Sequence, residues 1–217
     1  MYKVTNYSST NKKSDGKIPT PLRALFIGSS NSGKTMLLMN FIYKNWTSFK
    51  YLYIFSRSLN QPLYSDLIAR YTTIKNNIGE QICYAFDNCD DLISVEDCNQ
   101  DSFVVFDDCL LEKQKEIKNY FTRGRHKNIS TVYLSQCYNL VDRQTIRNNV
   151  NFLCVFVQNK HYIKQIYNDF VGSDMPYHKF VEMCEKCWSQ NHGFITIDLS
   201  KKPHSGKYKN QLNDMII

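Results

Sequence analysis

Eight consecutive residues constrain this chain more than any others: Gly28-Ser29-Ser30-Asn31-Ser32-Gly33-Lys34-Thr35. They fit the pattern G-x-x-x-x-G-K-[ST] without a mismatch. Leu22–Ile27 before them is a short apolar run, and Met36–Tyr43 after them is mostly apolar at helical length. Strand, glycine-rich turn, helix is the setting in which that pattern cradles phosphate. Glycine lets the backbone curl so that successive N–H groups face one anion, and the start of a helix adds partial positive charge. All eight residues are therefore candidate nucleotide-binding residues. Lys34 is placed to reach the β- and γ-phosphates, and Thr35 to hold Mg²⁺ through its hydroxyl.

A phosphate loop needs an acidic companion, and the chain supplies one. Phe103-Val104-Val105-Phe106 runs straight into Asp107-Asp108. A buried strand would present Asp107 at its carboxyl end, where it can hold Mg²⁺ through water. Asp108 is the candidate base for the attacking water, with Glu112 as an alternative. A further apolar run, Ile129–Leu134, ends in Ser135-Gln136. In one branch of phosphate-loop enzymes a strand inserted between the two motif strands carries a polar residue that senses the γ-phosphate, and Gln136 fits that place. Between the acids and that strand lies Arg123-Gly124-Arg125-His126-Lys127. We expect this cluster next to the nucleotide edge. There Arg123 or Arg125 could meet a neighbouring subunit's γ-phosphate, grip nucleic-acid phosphates, or only solvate a loop. Arg147 is a further candidate.

Bulk composition sets outer bounds. The 217 residues suffice for one α/β domain with a real core, and 42% hydrophobic content rules out a disordered chain. The net charge of +7 favours an anionic partner without requiring one. Eight cysteines are even in number, but several fall inside apparent core strands and no secretory signal precedes them, so we read them as reduced thiols of an intracellular protein. Cys184 and Cys187, with His192 and His204, have a superficial metal-site look. They sit in an amphipathic stretch without a second paired motif, and packing is the better reading. No apolar run approaches the ~20 residues that span a bilayer, so no membrane partner is expected.

Short apolar runs alternate with helical stretches. Strands are expected at 51–55, 81–86, 102–106, 129–134 and 152–157, with helices near 62–76, 111–122, 160–170 and 177–188. Continuous rather than alternating apolar strands predict a mostly parallel sheet with helices on both faces. Gly193–Leu199 reads as a late edge strand. Residues 1–20 read as a flexible arm, 21–200 as one phosphate-loop domain, and 201–217 as a basic tail. The expected fold class is α/β, a P-loop NTPase of the RecA-like, additional-strand class.

The motifs recur in a familiar order: Gly28–Thr35, Tyr53–Ser58, Phe103–Asp108, Tyr120–His126, Asn128–Gln136 and Thr145–Asn148. This set closely resembles the viral genome-packaging ATPases of the FtsK–HerA superfamily, the poxvirus-type ATPases of large DNA viruses, virophages and Polinton/Maverick transposons. It covers about residues 20–200. The resemblance implies an ATP- and Mg²⁺-dependent motor that pumps double-stranded DNA into a preformed capsid. It also implies a homo-oligomeric ring, commonly hexameric, a capsid or portal-vertex partner, and a site of action in host cytoplasm or nucleus where virions assemble. By motif position it implies Lys34 and Thr35 on the phosphates and metal, Asp107 on the metal, Asp108 as base and Gln136 as sensor. The Asp-Asp pair departs from the Asp-Glu common in translocating ATPases. Two other classes fit the phosphate loop: a nucleoside-kinase-like phosphotransferase, and a non-motor nucleotide-binding assembly factor. The kinase would pair the Ile27 and Val105 strands directly.

Overall fold

Strands that are apolar on both sides must be covered on both sides, and that demand organises the whole chain. The computed structural model describes residues 18–88, 92–109 and 114–214. Among them the strands are β1 Arg23–Ile27, β2 Tyr51–Ser56, β3 Cys83–Phe86, β4 Ser102–Asp107, β5 Ser130–Ser135, β6 Phe152–Phe156, β7 Phe194–Asp198, β8 Tyr208–Asn210 and β9 Asn213–Asp214. The helices are α1 Lys34–Tyr43, α2 Pro62–Ile78, α3 Gln114–Arg123, α4 Lys160–Phe170 and α5 Tyr177–Trp188.

All nine strands join one sheet in the order β3-β2-β4-β5-β1-β6-β7-β8-β9. The six strands from β3 to β6 run parallel, and β7, β8 and β9 extend the sheet antiparallel. Successive residues of each central strand feed opposite cores. Ala24 and Phe26 of β1 pack with Leu38 and Phe41 of α1 and with Tyr64, Leu67 and Tyr71 of α2. Leu25 and Ile27 face the other way, toward Ile117 and Tyr120 of α3, Ile163 and Ile166 of α4, and Phe180 and Cys184 of α5. Local signals set the helix ends. Pro62 occupies the first turn of α2, and Gly79 closes it at φ 72° with its N–H on the Lys75 carbonyl. Asn159 caps α4, its side chain accepting from the Tyr162 N–H at 3.0 Å.

β5 lies between β1 and β4, and all six of its residues are buried. The direct pairing of β1 with β4 expected of a nucleoside kinase is therefore absent. Registers place Ile27 beside Ser135 and Leu134 beside Asp107. The carboxyl ends of three neighbouring strands thus meet at one edge of the sheet, with the outer two roughly 10 Å apart. Right after them come the glycine-rich loop, Gln136 and Asp108.

Two sequence expectations need correction at the carboxyl-terminal side. The strand at 194–198 is not an edge, because β8 pairs with its outer side. Nor do residues 201–217 begin a tail, since Lys207, Tyr208 and Lys209 are buried. Charge suggested solvation there, but each lysine has a carboxylate waiting inside. Lys207 pairs with Asp174, and Lys209 Nζ lies 3.3 Å from Asp198 Oδ2. The Tyr208 hydroxyl donates to Asp174 Oδ2 at 2.6 Å. A buried lysine is tolerable when so paired. At the other terminus Ile18 is already part of the core, and residues 1–17 of the expected arm lie outside the described residues.

Candidate nucleotide-binding site

The glycine-rich loop is shaped by what its residues lack. A Cβ on Gly28 would lie 2.4 Å from Ser32 Oγ and 2.8 Å from Phe156 Cβ, so no larger residue fits there. Gly33 sits at φ 107°, where side chains are strained, and Asn31 at φ 60°, a conformation asparagine tolerates. The Gly28 N–H bonds to the Ser135 carbonyl at 3.2 Å, which carries the β1–β5 register into the loop. The first helical bond of α1 runs from the Leu37 N–H to the Gly33 carbonyl at 2.9 Å. The helix thus begins directly at the loop, and the positive end of its dipole lies there.

Lys34 is buried with its Nζ donating to the Gly28 and Ser29 carbonyls at 2.7 and 2.8 Å. Burial lowers the ammonium's pKa, while the nearby charges of Asp107 and Asp108 oppose that shift. Asp107 mirrors it. Burial raises its carboxyl pKa, opposed by a hydrogen bond from Tyr64 and by the charge of Lys34. The two motifs thus sense each other electrostatically across β5. The Tyr64 hydroxyl donates to Asp107 Oδ2 at 2.6 Å from a fully buried ring on α2, and burial pushes the phenol well up, so it stays protonated as a donor.

These groups open on one cleft of about 540 Å³. Its lining includes Ser30, Asn31, Ser32, Gly33, Lys34 and Thr35, together with Asp107, Asp108 and Gln136. Gly28 and Ser29 do not line it; they serve through their carbonyls instead. Asp108 and Gln136 are exposed at the cleft, and Asp108 is held at φ 59°, which turns the chain away directly after Asp107. Glu112 lies outside the described residues. The Thr35 hydroxyl and the Asp107 carboxylate are hard oxygen donors facing the same space, a set that suits Mg²⁺.

The arginines are not where the sequence reading put them. Gly124–Lys127 precedes β5, whose first residue, Ser130, pairs with Phe103 near the start of β4. Parallel strands send that loop to the amino edge of the sheet, one strand length (about 17 Å) from the cleft of the same chain. Arg123 is exposed there and pairs with Glu96 at 3.2 Å. Arg125 is exposed, and its charge adds to burial in lowering the pKa of Arg23. Arg147 is mostly buried, bonded to Asp169 at 2.9 Å and stacked 4.6 Å over the Tyr138 ring. Among the described residues no cluster of His, Cys, Asp and Glu is arranged to hold a metal, and Cys184 and Cys187 are buried on α5. No helix among them is long and apolar enough to cross a membrane.

Sequence reasoning assigned no part in the site to Ser58, Gln61 and His192, which line the cleft from the turn before α2 and the turn after α5, or to the buried Tyr64 of α2, which meets the site through Asp107. Ser58 ends the Tyr53–Ser58 motif, but nothing local assigns it, Tyr64, Gln61 or His192 to a phosphate site. Only the placement of α2 against β4 and of β7 beside β6 could have found them.

The strained ionisation of Asp107 yields a testable sign. Its raised pKa means that the folded state holds this proton more tightly than the unfolded chain does. The carboxylate therefore costs stability at neutral pH, and that cost fades as pH falls toward the unfolded value of about 3.9. Without nucleotide, Asp107→Asn is expected to melt above wild type at pH 7, with the gap closing toward pH 4. A variant that melts below wild type at pH 7 in a thermal scan contradicts this.

Comparison with other proteins agrees with the geometry. The B204 genome-packaging NTPase of Sulfolobus turreted icosahedral virus 2, in complex with AMP, has 14% identity and a TM-score of 0.56 over 85% of this chain and 100% of its own. The B204 DNA-packaging ATPase of Sulfolobus turreted icosahedral virus has 15% identity and a TM-score of 0.58, over 83% and 94%. At such identities the likeness establishes a shared fold, that of a P-loop NTPase. No curated protein sequence matches the chain. The family profile described as Poxvirus A32 protein matches residues 12–198. The chain belongs to the poxvirus A32 protein family.

Proposed function

We propose that this protein is an ATPase that drives double-stranded viral DNA into a preformed capsid. The observation that carries the reading is the convergence of Lys34, Asp107 and Gln136 on one cleft, through a sheet in which β5 separates the two motif strands. Family membership and the fold shared with packaging NTPases support it.

In this reading the loop amides and Lys34 hold the β- and γ-phosphates of ATP. Thr35 and Asp107 would hold Mg²⁺, which supplies charge neutralisation on the phosphate oxygens. Tyr64 fixes one oxygen of Asp107, as outer partners of metal-binding carboxylates do. Gln136 orients a water, and Asp108 takes its proton as the water attacks the γ-phosphorus. The bond to the β–γ bridging oxygen breaks, leaving ADP and phosphate. A homo-oligomeric ring, hexameric by family resemblance, would bring a neighbour's amino edge to this cleft. Arg123 or Arg125 would then be the stabilising cation: an exposed pair such as Arg123–Glu96 is cheap to exchange, whereas Arg147 is committed to Asp169. Moving a phosphate backbone requires no base reading, so the motor should accept any duplex sequence. A capsid or portal-vertex protein would be its docking partner, at the site of assembly in host cytoplasm or nucleus.

Two outcomes follow. ATP turnover by the purified oligomer is expected to rise on adding linear duplex DNA and to vanish in Lys34→Ala with the fold retained. Turnover unchanged by that substitution, or indifferent to DNA in a folded oligomer, contradicts the proposal. Tyr64→Phe keeps the ring and loses only the donor, so nucleotide affinity with Mg²⁺ is expected to fall about 10-fold while Mg²⁺-free affinity holds. Superimposable Mg²⁺ titrations of variant and wild type would remove Tyr64 from the site.

A further inference from the structure

We propose that His192, far along the chain from the glycine-rich loop, is a positioning residue for phosphate binding: it holds the Ser32–Gly33 peptide in its binding orientation. The inference rests on the nucleotide reading of the cleft. His192 Nδ1 lies 3.2 Å from the Ser32 carbonyl oxygen. A carbonyl only accepts, so Nδ1 must carry the proton and donate. A trans peptide is planar, and its C=O and N–H point in opposite directions. Fixing the Ser32 carbonyl on the imidazole therefore aims the Gly33 N–H away from it, which leaves that amide to a ligand.

Contact between ring and loop is close on both sides. A Cβ on Gly33 would stand 3.1 Å from His192 Cβ and 3.3 Å from Cγ and Nδ1. The second glycine of the motif is thus required twice, for its φ of 107° and for the approach of this ring. The histidine is itself held. It adopts φ 55°, an uncommon conformation of the kind found where surroundings over-determine the backbone. The next residue, Gly193, is wedged so that a Cβ would meet the Cys187 carbonyl at 2.1 Å, and its N–H bonds the Gln190 carbonyl at 3.0 Å. Phe194 then pairs with Phe156, the residue whose Cβ bounds Gly28. The loop thus packs against β6, and the histidine leads into β7, the strand paired with β6. His192 also lines the cleft, on the β6–β7 side of the loop, opposite the acids.

Three variants of the full-length protein separate the donor from the backbone. His192→Gly accepts φ 55° but removes the donor, His192→Ala removes it with a strained backbone, and His192→Asn keeps an N–H donor in a residue that tolerates positive φ. Binding is read with a fluorescent N-methylanthraniloyl-ATP, alongside melting without nucleotide. The glycine and alanine variants are expected to bind about fivefold to tenfold more weakly than wild type. Asparagine is expected to restore affinity to within about twofold. A folded glycine or alanine variant that binds like wild type, or an asparagine variant as weak as they are, overturns the proposal. Nitrogen resonances of the wild-type ring provide a second reading that no variant can spoil. The neutral imidazole should be the Nδ1–H form, and an Nε2–H form overturns the contact. Wild-type protein that binds no nucleotide refutes the functional reading instead, and the tautomer still decides the contact.

Discussion

Lys34 and Asp107 are opposite charges set at the edge of a buried sheet, and each is partly stripped of water. Burial lowers the pKa of one and raises that of the other, and each charge works against the other's shift. Each charge, together with the fixed hydrogen bonds, offsets part of the cost of the other's burial. The sheet imposes this arrangement. Six parallel strands in continuous register bring the ends of β1, β5 and β4 to one level, with Lys34 and Asp107 on either side of β5. The site's electrostatics are therefore a consequence of strand order.

Supporting contacts come from outside the motifs. Tyr64 reaches Asp107 from α2, and His192 reaches Ser32 from beyond α5. Each constrains an otherwise mobile polar group, an acid oxygen in one case and a peptide plane in the other. Such constraint is how a site keeps its geometry before a ligand arrives. The amino edge of the sheet is different in character. Arg125 is exposed there, and Arg123 pairs with the exposed carboxylate of Glu96. An edge with cations so weakly committed suits a contact with phosphate supplied from outside the chain.

The parts readable from sequence were those in which chemistry and backbone shape share the same residues. Gly28 and Gly33 encode both the loop's conformation and its amides, so the motif carried its own structural proof. The apolar runs of β1, β2, β4, β5 and β6 were legible because strands covered on both faces are apolar over most of their length. Even the insertion of β5 followed from motif order and held. What escaped depended on space alone. Tyr64 sits among ordinary apolar positions of an amphipathic helix, and nothing local marks it as a partner of Asp107. Lys207 and Lys209 looked solvated because their carboxylates, Asp174 and Asp198, lie elsewhere in sequence. Arg123 and Arg125 were assigned to the wrong edge. They are near the acid pair in sequence but not in space, because the chain must return through α3 before β5 can start.

The account stands on one triphosphate–metal centre shared by the loop and the acid. The most direct measurement is a crystal structure or cryo-EM map of the protein with a non-hydrolysable ATP analogue and Mg²⁺. The account predicts phosphates against the amides of residues 31–35, Lys34 Nζ moved from the Gly28 and Ser29 carbonyls to phosphate oxygen, and the ion between Thr35 and the water shell of Asp107. An analogue seated away from that loop, or an ion with no path to Asp107, would contradict it.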